Sequence, residues 1–309
     1  MLPKRWAAAR PGADKIPLMS DTWGDGDVAA LRSAVAADPN NGALLVQYAL
    51  ALHGQGRLPD AVAMAWRAVS AHPHSSLAQY TYAALLHESG QNQAALAVLD
   101  QALQQNPMNA DALVLRADVF RSMWGASAAE AQYLEALRVA PGHALAMHNL
   151  AVVRLRWGTL TDAVSGLLAA GRIDRSLRAL VIDNVGLAVA RVLRLATASV
   201  VFLAVALIVV MAAHEDGKSA TLPRIAAGVL ALALTVPLIW LVRTVPADVL
   251  SSVVRQRLLL GVRIAFVSVG VLLGLVTAVV GSNAVSDVAG TLLLFGVFGL
   301  TVLGRVTGS

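Results

Sequence analysis

Pro39, Pro73, Pro107 and Pro141 stand 34 residues apart, and no other feature of this chain restricts its fold as tightly. A fixed period of this length belongs to stacked helical repeats, in which each unit is too small to bury an apolar face alone and lays it against the next. The small residues keep the same register. Ala49, Ala83, Ala117 and Ala151 recur at that spacing, as do Ala61, Ala95, Ala129 and Ala163, and a third series runs Ala34, Ala68, Ala102, Ala136, Ala170. Two helix backbones approach closely only where side chains are small, so these series predict a pair of antiparallel helices in each unit. Leu52, Leu86 and Phe120 fill the first helices, and Leu31, Leu99, Tyr133 and Leu167 the second. Gly56, Gly90 and Gly158 supply turns between paired helices, and the prolines close each second helix.

This combination of period, alanines, turn glycine and proline resembles the tetratricopeptide repeat over residues 42–175. On that reading a basic stretch at 1–24 precedes a repeat domain at 25–175. A leading helix at 27–39 comes first, then repeats at 42–75, 76–109, 110–143 and 144–177. Richness in Ala, Val, Arg and Leu with few Lys resembles bacterial repeat proteins of the actinobacterial type. Some slots depart from the family pattern. Gln79, Arg116 and Arg154 stand where large apolar residues are usual, and Trp124 stands where a turn glycine is expected. Arg175 replaces the fourth closing proline, so the chain is expected to run on as helix toward the second half.

The resemblance implies a superhelix whose concave wall is lined by the first helix of each unit and holds a protein or peptide partner. Its geometry puts Val46, Leu50, His53, Tyr80, His87, Asp118, Arg121 and His148 on that wall, with Ala84 and Val152. His53 and His87 fall in equivalent slots and are expected to be neighbours. Val46, Leu50 and Thr81 occupy the slots from which some family members clamp a terminal carboxylate, which argues against a receptor for chaperone tails.

The second half solves a different solvent problem. No charge interrupts residues 195–213, 225–242, 264–280 or 288–304. A helix rises about 1.5 Å per residue and a bilayer core is about 30 Å thick, so four spans are predicted, the third taken back to residue 260 with Arg263 snorkelling to the headgroups. The fold class expected is all-α: a repeat solenoid, a juxtamembrane helix at 176–194, and a four-helix transmembrane bundle in 195–309. Pro237 is expected to bend the second span, and 247–260 to begin as an interfacial helix. Gly270 with Gly274, and Gly296 with Gly299, give small surfaces for helix packing within the bundle or in a homo-oligomer.

Arginines sort to one side of these spans. Arg191 and Arg194 precede the first, Arg243, Arg255 and Arg257 lie between the second and third, and Arg305 follows the fourth. The opposite loops hold Lys218 and Arg224 against Glu215, Asp216 and Asp287. The positive-inside rule then predicts a multi-pass protein of the plasma (inner) membrane with both termini cytoplasmic. Residues 1–23 contain no apolar core of secretory length. Residues 27–171 carry eight Arg against ten Asp or Glu, a net of −2, so the overall +5 gathers at the membrane edge and among Lys4, Arg5, Arg10 and Lys15. That placement favours anionic lipid at the inner face over nucleic acid.

Catalytic signatures are missing. The chain has no cysteine, and its seven histidines form no metal-binding helix motif; phosphate-loop, dinucleotide and nucleophile-elbow motifs are absent too. His214, Glu215 and Asp216 are consecutive and cannot all point at one ion. Ser199, Thr235, Ser268 and Thr277 are the hydroxyls available to an intramembrane enzyme or carrier, with no activating group at their depth. The expectation is a non-enzymatic, cofactor-free, membrane-anchored scaffold. Its alternative is an accessory or assembly subunit of an envelope-biogenesis, secretion or transport complex, with the bundle as the working half.

Overall fold

A computed structural model of the chain describes residues 24–157, 159–217, 219–281 and 284–307, all-helical in their regular structure. Two compact units divide it, Met1–Leu180 and Val181–Ser309.

The first unit holds α1 Asp25–Ala37, α2 Gly42–Gly54, α3 Leu58–Ala71, α4 Ser76–Glu88, α5 Asn92–Gln105, α6 Ala110–Trp124, α7 Ala126–Val139, α8 Ala144–Trp157 and α9 Leu160–Ile173. First helices begin at 42, 76, 110 and 144, second helices begin at 58, 92, 126 and 160 and end at 71, 105, 139 and 173, so the 34-residue period holds at each of these boundaries. The alanine series explain why. Ala61, Ala95, Ala129 and Ala163 are fully buried, and Ala49, Ala83, Ala117 and Ala151 nearly so, at the close approach of paired helices. Leu52, Leu86, Leu99, Tyr133 and Leu167 fill the space between them.

Each first helix also opens on the same device. Asn41, Ser75 and Asn109 accept a hydrogen bond from the backbone N–H three residues on, and His143 does so through Nδ1. A side-chain acceptor at this position satisfies one of the four N–H groups that a helix start leaves unpaired.

Two local expectations need correction. The third unit keeps its turn glycine one residue late: α6 runs on through Trp124, and Gly125 turns at φ +89° and ψ −175°, so α7 still starts on the period. Gly56 and Gly90 turn as expected, at φ +74° and +81°. Gly158 lies outside the described residues, as do Lys4, Arg5, Arg10 and Lys15. The chain also does not run on as helix past the fourth unit. It ends α9 at Ile173, turns extended at Asp174, whose carboxylate accepts from the Ser176 N–H, and makes a short 3₁₀ turn over Arg175–Leu177.

The second unit contains α10 Arg178–Glu215, α11 Thr221–Thr244, α12 Ala247–Gln256, α13 Leu258–Val280 and α14 Ala284–Thr307. The expected juxtamembrane helix and first span are one element. Val181, Val185, Ala188, Leu193, Ala196, Val200, Leu203, Leu207 and Val210 form a continuous buried stripe at helical spacing, with nothing to break it. Four helices are long and apolar enough to cross a membrane, over Arg175–Glu215, Thr221–Thr244, Leu258–Val280 and Val288–Val306. α11 stays continuous across Pro237, whose missing N–H leaves the carbonyl of Ala233 without its helical donor. α12 is a separate short helix, closed at Arg257 by a non-helical backbone before α13 begins.

Candidate functional site

Among the repeats α2 meets α4 and α4 meets α6 directly, a closeness no pair of second helices reaches. Among the described residues the first helices therefore stand closer to one another than the second helices do, on the side where the groove is expected. Leu50, His53, Tyr80, His87, Arg121 and Val152 are partly open there, whereas Val46, Asp118 and His148 are buried and Ala84 fully so. The ten residues expected on that wall thus divide into six that are partly open and four that are buried.

The buried layer is a polar network joining three helices. Asp118 of α6 accepts hydrogen bonds on Oδ1 from the Tyr133 hydroxyl of α7 and, at 3.0 Å, from Asn149 Nδ2 of α8, and Arg121 Nη2 stands 3.8 Å away. A carboxylate this buried is tolerable only when its lone pairs are matched. Burial pushes the Tyr133 hydroxyl well above the usual tyrosine range, with the Asp118 charge adding to it, so Tyr133 remains a donor. Tyr80 is raised in the same way, by burial first and then by Asp111 and Asp118. His148 has no partner for Nδ1, and its burial lowers its pKa, which keeps the ring neutral.

The histidines act as ties between helices. His53 Nε2 lies 2.7 Å from Glu88 Oε2 one repeat on, and His87 Nδ1 lies 2.7 Å from Asn92 Oδ1. His53 thus meets Glu88, the residue beside His87. His143 accepts from the Ala146 N–H on Nδ1, so its proton sits on Nε2 and is donated to Asp111 at 2.9 Å. That hydrogen bond holds the Asp111 carboxyl below the usual range.

The departures from the family pattern resolve as polar substitutes for apolar packing. Gln79 is buried and donates to the Pro73 carbonyl at 2.6 Å and to Gln105 at 3.2 Å. Arg116 pairs with Asp100 and Arg154 with Glu130, each reaching the preceding helix. The cap column at 41, 75, 109 and 143 and the partners of Asp118 are what sequence reading misses. The column was available as a 34-residue series; the partners were not, because they come from three helices.

In the second unit Gly270 and Gly274 face α10, where Val200 and Leu203 would meet any added side chain, and Gly274 also faces Ala231 of α11. Gly296 abuts Phe266, whereas Gly299 faces open space. Ser199, Thr235, Ser268 and Thr277 all donate to carbonyls of their own helices. Arg263 does not snorkel. It is 4% exposed, lies in the second turn of α13, and donates from Nη2 to the Leu300 carbonyl of α14 at 3.2 Å, so the bundle does hold a buried charge. Among the described residues no group of three or more His, Asp or Glu is placed to hold a metal ion.

Residues 80–122 match the tetratricopeptide repeat family. Among solved structures, MamA is 24% identical, with 49% of this chain and 89% of that chain covered at a TM-score of 0.41. A thermophilic repeat protein of Thermus thermophilus is 20% identical, covering 52% and 90% at 0.46. YrrB, a repeat protein described as having an unusual peptide-binding site, is 18% identical, covering 53% and 84% at 0.38. No curated protein matches this chain.

Proposed function

We propose that this tetratricopeptide repeat protein, with four long apolar helices after its repeats, is a membrane-anchored scaffold whose groove recruits a segment of another protein. One observation carries the anchoring. The second unit leaves Phe202, Val229, Val236, Leu272, Phe295 and Phe298 exposed on helices that span a bilayer in length, and a water-soluble surface does not tolerate apolar exposure on this scale. The arginine-bearing ends face the cytoplasm by the positive-inside rule, which puts the repeats there too. The partly open residues of α2, α4, α6 and α8 then form the recruiting surface, with Asp118, Tyr133 and Asn149 fixing its shape from beneath. Recruitment needs no chemistry of its own, and the reading is of a non-enzyme.

The groove is tested by photo-crosslinking from single positions in the full chain. Leu50 and Val152 should capture a common partner, and Trp66, exposed on second helix α3, should not. Capture from Trp66 alone, or from all three equally, refutes the groove. Sidedness is tested with single cysteines, which the cysteine-free chain makes simple. An impermeant thiol reagent on intact cells should label Ser219→Cys and not Ser176→Cys, and the reverse would place the repeats outside.

The buried Arg263 favours a second reading, an accessory or assembly subunit with the bundle as the working half. Complementation by the repeats on an unrelated anchor separates the two: full rescue removes the bundle from the mechanism.

A further inference from the structure

α10 and α13 run side by side in parallel. Gly186 faces Arg257, Val200 faces Gly270 and Leu203 faces Gly274, an offset of 70 or 71 residues each time. Nearly the same offset brings Arg194 of α10 level with Arg263 of α13. Two cations thus share one level of the bundle, one of them buried.

Arg263 is poorly matched by the protein itself. Its Nη2 has the Leu300 carbonyl, but Nε is buried without a partner, and among the described residues no carboxylate pairs with it. In the repeats, by contrast, Arg57, Arg116, Arg138 and Arg154 each meet an acid, though Arg116 too leaves its Nε buried without a partner. Removing a guanidinium from water is costly, and a second arginine at the same level adds to the cost. An anion supplied from outside the chain would offset that cost.

Depth decides which anion. Arg263 stands five residues into α13, and beyond it Ile264 to Val280 carry no charge for about 25 Å of helix, close to a hydrocarbon core. The arginine pair therefore falls at the level of lipid phosphates. Exposed Val262 and Val269 on α13 offer an apolar strip of the kind an acyl chain follows. Guanidinium groups bind phosphate oxygens through paired N–H donors, which a point charge does not reproduce.

We propose that Arg194 and Arg263 hold the phosphate of an anionic phospholipid headgroup between α10 and α13. This deepens the membrane reading and rests on it. The experiment is native mass spectrometry of the full chain from mixed phosphatidylglycerol and phosphatidylcholine bilayers, after confirming that alkaline carbonate leaves the chain in membranes. Phosphatidylglycerol should be retained preferentially, and Arg194→Gln should weaken that retention by about tenfold, as expected for one charge-assisted bidentate contact. Arg194 is exposed, so its change leaves the Leu300 tie intact. Arg243→Gln, at the end of α11, should leave retention unchanged. Equal loss in both variants, no preference between the lipids, or displacement of the lipid by millimolar inorganic phosphate overturns the proposal. A chain stripped by carbonate overturns the membrane reading together with it; an integral chain without lipid preference overturns the proposal alone.

Discussion

Replacing Tyr133 by Phe removes one hydroxyl from the polar network beneath the groove. Tyr133 is fully buried, and its hydroxyl donates to a carboxylate that is 8% exposed. A hydrogen bond to a charged acceptor contributes about 1.5–3 kcal/mol. Asp118 keeps Asn149 at 3.0 Å and Arg121 at 3.8 Å, so its charge is not orphaned. The loss should therefore sit in the lower half of that range, about 2 kcal/mol. Asp118→Ala would leave the Tyr133 and Asn149 donors without an acceptor and should cost about 3–5 kcal/mol. Hydrogen exchange read by mass spectrometry on the full detergent-solubilised chain reports this locally. At 1.36 kcal/mol per factor of ten, amides of α6, α7 and α8 in Tyr133→Phe should exchange about thirtyfold faster, with the apolar segments of α10 to α14 unchanged. Acceleration below about threefold in α6–α8 would mean that the hydroxyl contributes nothing net and that the network is incidental to the groove.

Three further outcomes follow from geometry and charge. Gly274→Ala would put a methyl carbon 2.7 Å from Ala231 Cβ and 2.9 Å from Leu203 Cδ1, and should lower the thermal midpoint of the detergent-solubilised chain, whereas Gly299→Ala meets nothing within 4 Å and should be silent. Gly125→Ala forces a side chain into φ +89° and should cost about 1–3 kcal/mol in urea unfolding of the repeats, while Gly142→Ala, an open glycine without positive φ, should not. His148 is held neutral by burial, so its folded pKa lies below its unfolded one. Its contribution is then present above the unfolded histidine pKa, about 6.5, and is lost as pH falls through the folded value. Stability of the repeats should drop on acidification below about pH 6.5, and His148→Phe should flatten that slope.

Much of this fold was legible because periodicity is a local property. Alanine columns and prolines at a 34-residue spacing dictated where helices begin, and the structure repeats those starts at 42, 76, 110 and 144. Runs of hydrocarbon length likewise announced α10, α11, α13 and α14. The candidate site was legible only in outline. Family geometry put Asp118 and His148 on the groove side, but burial depends on what neighbouring helices bring, and Tyr133 and Asn149 arrive from α7 and α8.

The division is clearest where one residue could serve two ends. Trp124 in a glycine slot looked like a lost turn, yet one more helical residue lets Gly125 do the same work, because only a residue free at positive φ is required and its address can shift. Arg263 looked like an arginine reaching for the headgroups, since its distance from the apolar run permits it. The carbonyl of Leu300, 37 residues away, captures it instead. Composition and spacing determine which segments are helices and which solvent each can face; partners for a buried polar atom exist only once distant segments meet, so tertiary structure alone decides them.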